Sequence, residues 1–492
     1  MGNYPRLVIA GLRGGSGKTT LSLGLVRALR GRGLSVVPFK KGPDYIDAGW
    51  LASAAGCPCY NLDPYLVGRN RVLHSFIEHS SGADVAIVEG NRGLFDGVDE
   101  EGSYSTAEVA KILRSPVILV IDCTKVTRTV AALVLGAEKF DPELLLKGVI
   151  LNQIAGSRHE TVIRKSIERY CNVPVVGSIP KLDAGLFPER HMGLLPQQEH
   201  QDTEKALSFV EKVAAKYINV DILFAIAREA ESIALKKEAE GGRRRGVSVG
   251  PPPETGERKG YAICPETRAV RVGVIRDSAF QFYYPENFEE LRRSGAEIVE
   301  VSALDEKQLP EVDALYIGGG FPETHAITLA ENVNFRDSLR KEIENGLPVY
   351  AECGGFMYLG KGLLLDEKTY PMAGIFPMVF SLDRKPQAHG YSVVEVVRKN
   401  PFYSEGTALR GHEFHYSRAC GDMNEIEPFY YAFRMKRGHG IYNKMDGICY
   451  KNVLATYTHL HAFGAQEWTE GVIRQAVEYK TKKALRMSTN GG

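Results

Sequence analysis

Two stretches of this chain have residue types and spacing suited to chemistry. The first is Gly11-Leu12-Arg13-Gly14-Gly15-Ser16-Gly17-Lys18-Thr19-Thr20, and the second pairs Ala351-Glu352-Cys353-Gly354-Gly355-Phe356 with Tyr457-Thr458-His459-Leu460-His461. In the first, Gly14, Gly15 and Gly17 free the backbone to wrap phosphate oxygens. Lys18 supplies a point charge there, and the Thr19 hydroxyl suits Mg²⁺. In the second, Cys353 is a candidate nucleophile and His459 a candidate base. One set points to ATP used for activation, the other to ammonia released from glutamine. Together they predict an ATP-dependent enzyme that forms amides.

The phosphate loop follows an apolar strand, Arg6 to Ala10, and opens a helix, as such a loop must. The common pattern puts glycine six residues before the lysine, where this chain has Leu12, with Gly11 one place earlier. That offset resembles the variant loop of the dethiobiotin synthetase and partition-ATPase class, in which lysine commonly stands where this chain has Arg13. Arg13, Gly14, Gly15, Gly17, Lys18, Thr19, Thr20 and Lys40 are the candidate ATP-binding residues. Lys40 and Asp44 lie in Phe39-Lys40-Lys41-Gly42-Pro43-Asp44-Tyr45-Ile46-Asp47, just past a second strand. Glu89 ends the apolar strand Val85-Ala86-Ile87-Val88, and Asp96 follows on a loop bounded by glycines. Thr19, Asp44 and Glu89 are the candidate Mg²⁺ ligands, while Asp44, Tyr45 and Asp96 are candidates for substrate contact. A single carboxylate at a strand end is as readily a turn or helix cap. Several at the carboxyl ends of neighbouring strands mark where open α/β sheets bind ligands.

Small residues around Cys353 permit the sharp strand-to-helix turn that exposes a nucleophile. Backbone N–H groups at Gly354, Gly319 and Gly320 are candidate oxyanion donors. In a Cys-His-Glu set the acid sits two residues after the histidine; here that place holds His461, a candidate orienter of His459. Glu352 and Glu413 are further acids that the sequence does not place. His412 and His415 have an interval found in zinc sites but lack the helical spacing of a zincin.

These residues need parallel strands to hold them. Short, nearly continuous apolar runs at Arg6–Ala10, Leu34–Pro38, Asp84–Val88, Pro116–Ile121, Gly148–Leu151 and Pro174–Ile179 alternate with helical patterns. They predict a parallel sheet covered on both faces. A charged helical stretch runs from Thr203 to Glu238. Strands are predicted again at Arg271–Ile275, Glu297–Val301, Asp313–Ile317 and Pro348–Ala351, with helices at Pro285–Arg293 and Glu323–Asn345. At 492 residues the chain fits two domains of about 200 residues each. The expected division is residues 1–238 and 269–492, joined by a Gly-, Pro- and Arg-rich linker at 239–268. The expected fold class is therefore α/β, with two mostly parallel sheets covered by helices.

A formal net charge of +1 offers no field to draw the chain to nucleic acid or a membrane surface. No apolar run approaches the roughly 20 residues that span a bilayer. The eight cysteines are scattered, which fits reduced thiols in the cytoplasm.

Lys40 to Asp47, Glu89 to Gly97, Pro188-Glu189-Arg190-His191-Met192-Gly193-Leu194 and the Cys353 and His459 motifs resemble, in order, those of the cobyrinic acid a,c-diamide synthase family. The resemblance implies a P-loop ATPase domain fused to a class I type glutamine amidotransferase domain. It implies ATP and glutamine as co-substrates with Mg²⁺, and Lys18, Thr19, Asp44, Glu89 and Asp96 serving ATP, metal or the carboxylate substrate. That substrate would be a tetrapyrrole, cobyrinic acid, amidated at its a and c acetates through acyl phosphates. Ammonia would pass across the domain interface, and the enzyme could form a homodimer. Asn91-Arg92 replace less basic residues of that family, so sirohaem or nickel sirohydrochlorin stands as an alternative substrate. A partition-type ATPase scaffold is a more distant reading, and it leaves Cys353 and His459 idle.

Overall fold

The computed structural model describes residues 2–182, 189–190, 193–194, 202–234, 269–421 and 427–490. The chain divides into two compact units, Met1–Glu254 and Thr255–Gly492. The expected linker at 239–268 lies outside the described residues. Of the Pro188–Leu194 motif only a short antiparallel pair, Glu189–Arg190 with Gly193–Leu194, is described.

In the first unit seven strands form one parallel sheet. They are β1 (Arg6–Gly11), β2 (Val36–Lys41), β3 (Tyr60–Leu62), β4 (Val85–Glu89), β5 (Val117–Asp122), β6 (Leu146–Ile154) and β7 (Val175–Pro180), in the order β3-β2-β4-β1-β5-β6-β7. β1 is buried throughout, as a strand covered on both faces requires. Leu21, Leu25, Leu207 and Val210 share one apolar cluster with Ile87 and Ile118, which packs the helices Lys18–Arg30 and Thr203–Tyr217 on one face of the sheet. The helical stretch predicted from Thr203 onward is broken at Ile218. Asn219 begins a new helix there, its side chain accepting from Ile222 N–H at 3.1 Å. Residues 235–238 lie outside the described residues.

The second unit holds a ten-stranded mixed sheet. Ala296–Val301, Val270–Ile275, Ala314–Ile317, Val349–Glu352 and Val453–Thr456 run parallel in that order. Met445–Tyr450, Tyr430–Arg437, Ala388–Val396, Ala408–His415 and His459–Leu460 continue it with antiparallel pairing. The parallel half is where the expected strands fall. The antiparallel half follows from short connections, such as the turn at Lys451-Asn452, that leave no room for a crossover helix. The expected helix Glu323–Asn345 is three pieces, Pro322–His325, Ala326–Glu331 and Val333–Glu344. Asn332 parts the last two, its side-chain amide donating to Ala303 O and Glu306 O.

Candidate active sites

In the first unit the candidate residues gather at the carboxyl ends of β1, β2 and β4. Gly15 and Gly17 take positive φ, +69° and +90°, which favours glycine. A Cβ on Gly17 would lie 2.3 Å from Asn152 Nδ2, an amide that donates to Ser16 O at 3.0 Å. The helix Lys18–Arg30 begins here with no acidic residue in its first turn, so its N–H groups and dipole favour an anion. Thr20 sits in that first turn. Lys18 Nζ donates to Arg92 O at 2.8 Å and Arg13 O at 3.1 Å. Burial, with Lys40 nearby, lowers the Lys18 ammonium. The exposed Arg13 pairs with Asp122 at the end of β5.

Behind the loop stands a set of carboxylates around one lysine. Lys40 Nζ meets Asp47 Oδ2 at 2.6 Å and Glu89 Oε1 at 2.7 Å, with Asp44 at 4.0 Å. Burial alone would lower the Lys40 ammonium, but Asp47, Glu89 and Asp44 hold it well above its ordinary range. Burial and the neighbouring Asp47 push the Asp44 carboxyl up to about 7. Thr19 Oγ1 donates to Glu89 at 2.7 Å and is 3.3 Å from Asp47. Sequence reasoning assigned Asp47 no role; its position one helical turn after Asp44 was the available signal. Tyr45 stands at the N-cap position of the helix Ile46–Ala55 without a side-chain capping bond, and Asp44 accepts from Asp47 N–H at 2.9 Å in its place. Asp96 accepts from Gly93 N–H at 2.9 Å, so it holds the turn of its own loop, and its charge also acts on Lys18.

In the second unit the strand Val349–Glu352 lies between Ala314–Ile317 and Val453–Thr456. Cys353 N–H extends that pairing to Thr456 O at 2.8 Å. The chain then turns sharply: Cys353 has φ +48° and ψ −99° and caps the helix Gly354–Leu359. Such a backbone costs about 1–3 kcal/mol and is kept where geometry matters. The turn depends on small neighbours, because a Cβ on Gly355 would come 2.5 Å from Ile317 O. Cβ atoms at Gly354 and Gly319 would lie 2.9 Å from Gly320 N and 2.6 Å from His459 Cε1. The three candidate oxyanion glycines are therefore packed against one another and the histidine.

The Cys353 side chain acts on the His459 ring at close range. His459 Nδ1 faces Glu352 Oε2 at 3.3 Å, and its ring stacks on His412 at 4.9 Å. Burial alone would lower His459, but Cys353 and Glu352 raise it to about 10. The acid at Nδ1 is thus Glu352; the orienting place expected for His461 is filled from the other side. The strand ends at Leu460, so His461 no longer shares its alternation. His461 Nδ1 accepts from Phe463 N–H at 3.2 Å, and its Nε2 lies 3.6 Å from Glu286. Glu413 spends its oxygens on the N–H groups of His439 and Gly440, at 2.8 and 2.7 Å. His412 and His415 have different ring partners, for His415 stacks on Tyr457 at 3.6 Å. Among the described residues no group of three or more His, Cys, Asp or Glu side chains could hold a metal.

Residues 7–194 match the CobQ/CobB/MinD/ParA nucleotide binding domain, and residues 271–467 the CobB/CobQ-like glutamine amidotransferase domain. The chain is 42% identical to the cobyrinate a,c-diamide synthase of Magnetococcus marinus, over 96% of this chain and 97% of that protein. It is 40% identical to the one from Archaeoglobus fulgidus, over 97% and 99%. A third, from Methanosarcina acetivorans, is 37% identical over 99% and 98%. With a phosphate loop in one unit, a cysteine elbow in the other, and relatives alike along nearly the whole length, the chain belongs to the cobyrinate a,c-diamide synthase family.

Proposed function

We propose that this protein converts the a and c acetate side chains of the tetrapyrrole cobyrinic acid to amides, using ATP and the amide nitrogen of glutamine. The observation that carries this reading is that each unit is equipped for one half of the reaction. A carboxylate does not accept ammonia at neutral pH, because hydroxide is a poor leaving group. Transfer of the γ-phosphoryl group to a carboxylate oxygen gives an acyl phosphate, from which phosphate leaves readily. Lys18 and the loop N–H groups hold the phosphates, and Lys40 keeps the carboxylates of Asp44, Asp47 and Glu89 in place.

The residues at the loop fit Mg²⁺. Glu89 Oε2 is buried with no hydrogen-bond partner, and the Thr19 hydroxyl stands beside Oε1. Thr19, Asp44 and Glu89 would hold the ion together with phosphate oxygens, as Mg²⁺ commonly binds. Once bound, the ion neutralises charge on the transferring group.

In the second unit Cys353 Sγ attacks the glutamine carboxamide, and His459 passes the thiol proton to the departing ammonia. N–H groups at Gly319, Gly320 and Gly354 would stabilise the oxyanion. Water then cleaves the thioester, releasing glutamate and returning the proton to sulfur. The liberated ammonia attacks the acyl phosphate. Free thiols at every described cysteine and the lack of any described helix able to cross a membrane support a cytoplasmic setting. The test is Cys353→Ala, assayed with glutamine and with high ammonium salt. Loss with glutamine and retention with ammonium is expected; equal loss with both would remove Cys353 from the nucleophile role.

A further inference from the structure

The side chain of Glu352 points back from the nucleophile elbow into the sheet, where it is fully buried. It accepts from Tyr316 OH at 3.0 Å, from Leu460 N–H at 3.2 Å and from His459 Nδ1 at 3.3 Å. Tyr316 is held in turn by Asn287 Nδ2 at 3.4 Å, and Asn287 also donates to Leu460 O at 3.1 Å. The carboxylate is therefore fixed by elements on both sides of His459. With Nδ1 bound to Glu352, Nε2 is the ring nitrogen left for the Cys353 thiol. His461 cannot serve the same purpose, because its Nδ1 accepts from Phe463 and its Nε2 turns to Glu286.

We propose that Glu352, the residue immediately before the nucleophile, is the positioning carboxylate of the glutaminase, standing where a Cys-His-Glu set uses a residue two places after the histidine. The inference rests on the amidotransferase reading above. Glu352 fixes the tautomer and orientation of His459 and stabilises the imidazolium that forms when the thiol proton moves to Nε2. It exchanges no proton itself. The other titratable groups around His459 are Cys353 on the elbow, Tyr316 beneath Glu352, His412 and His415 on the strand Ala408–His415, and His461 past the strand end. Burial keeps His412 and His415 below their ordinary range, so both are neutral and neither sets a second positive charge beside the imidazolium.

The experiment compares glutamine hydrolysis in the full chain and in Glu352→Gln, Glu352→Asp and His461→Ala over a range of pH. Glu352→Gln keeps the shape and an oxygen for Leu460 N–H but removes the charge. Its kcat should fall on the order of 10²- to 10⁴-fold, with KM for glutamine little changed. Without the carboxylate the imidazolium loses its proton at lower pH, so the alkaline limb of kcat should move down. Glu352→Asp should recover part of both, and His461→Ala should cost less than Glu352→Gln. Wild-type kcat in Glu352→Gln, or a loss with an unmoved alkaline limb, overturns the proposal. If Glu352→Gln does not fold, Glu352→Asp decides on the same criteria. The amidotransferase reading fails separately, if glutamine hydrolysis survives Cys353→Ala.

Discussion

Lys40 and Glu89 occupy one rung of the parallel ladder between β2 and β4, and their side chains meet at 2.7 Å away from solvent. The ladder points both side chains to the same face, so the pairing comes from the register. Removing one partner of such a buried pair typically costs about 3–5 kcal/mol, because the other charge is left uncompensated. Lys40→Met leaves Glu89, Asp47 and Asp44 together without their cation. It should lower the unfolding midpoint of the first unit by several degrees, measured by calorimetry. An unchanged midpoint would mean that the pair is not charged as described.

Lys18→Ala should remove amidation with either nitrogen source, because activation of the carboxylate precedes attack by ammonia. Taking one cation from a phosphoryl-transfer site costs several kcal/mol of transition-state stabilisation, so a loss of at least ~10²-fold is expected. Glutamine hydrolysis measured alone should persist. Normal ammonia-driven turnover in this variant would contradict the phosphate-loop assignment.

Glu413 provides a pH test of the second unit. Burial, with Asp446 nearby, raises its carboxyl to about 7. A group raised in the folded state contributes stability that is present below its unfolded value of 4.5 and is lost as pH rises through about 7. The difference in unfolding free energy between wild type and Glu413→Gln should therefore change across that window, by at most ~3 kcal/mol. Denaturant melts of both proteins at pH 4.5 and 8 measure it. A difference independent of pH would show that Glu413 does not titrate in this window.

The parallel sheet of the first unit and the parallel half of the second were legible because buried strands read as continuous apolar runs. β1, β4 and β5 lie within a residue or so of their predicted limits. The short edge strand Tyr60–Leu62 has three residues, too few to show any period. The strands Ala388–Val396, Ala408–His415 and Tyr430–Arg437 mix buried and exposed residues, and the buried strand Met445–Tyr450 carries Asp446 and Gly447, so no apolar run announced them. The phosphate loop and the cysteine elbow were legible because each depends on local glycines. Glu352 could be named but not placed, since its partners Tyr316 and His459 are 36 and 107 residues away. His461 misled because an interval of two from His459 suggests one face of a shared strand, whereas the strand stops at Leu460.

The most direct measurement follows isotope-labelled amide nitrogen from glutamine into product. The purified chain is given ATP, Mg²⁺, the labelled glutamine and cobyrinic acid, and the tetrapyrrole is analysed by mass spectrometry while ATP cleavage is counted. The expected result is label in amides at the a and c acetates, with one ATP cleaved for each amide formed. Unaltered cobyrinic acid, with labelled amides appearing instead on sirohaem or nickel sirohydrochlorin supplied in parallel reactions or on no tetrapyrrole at all, would contradict the proposed function.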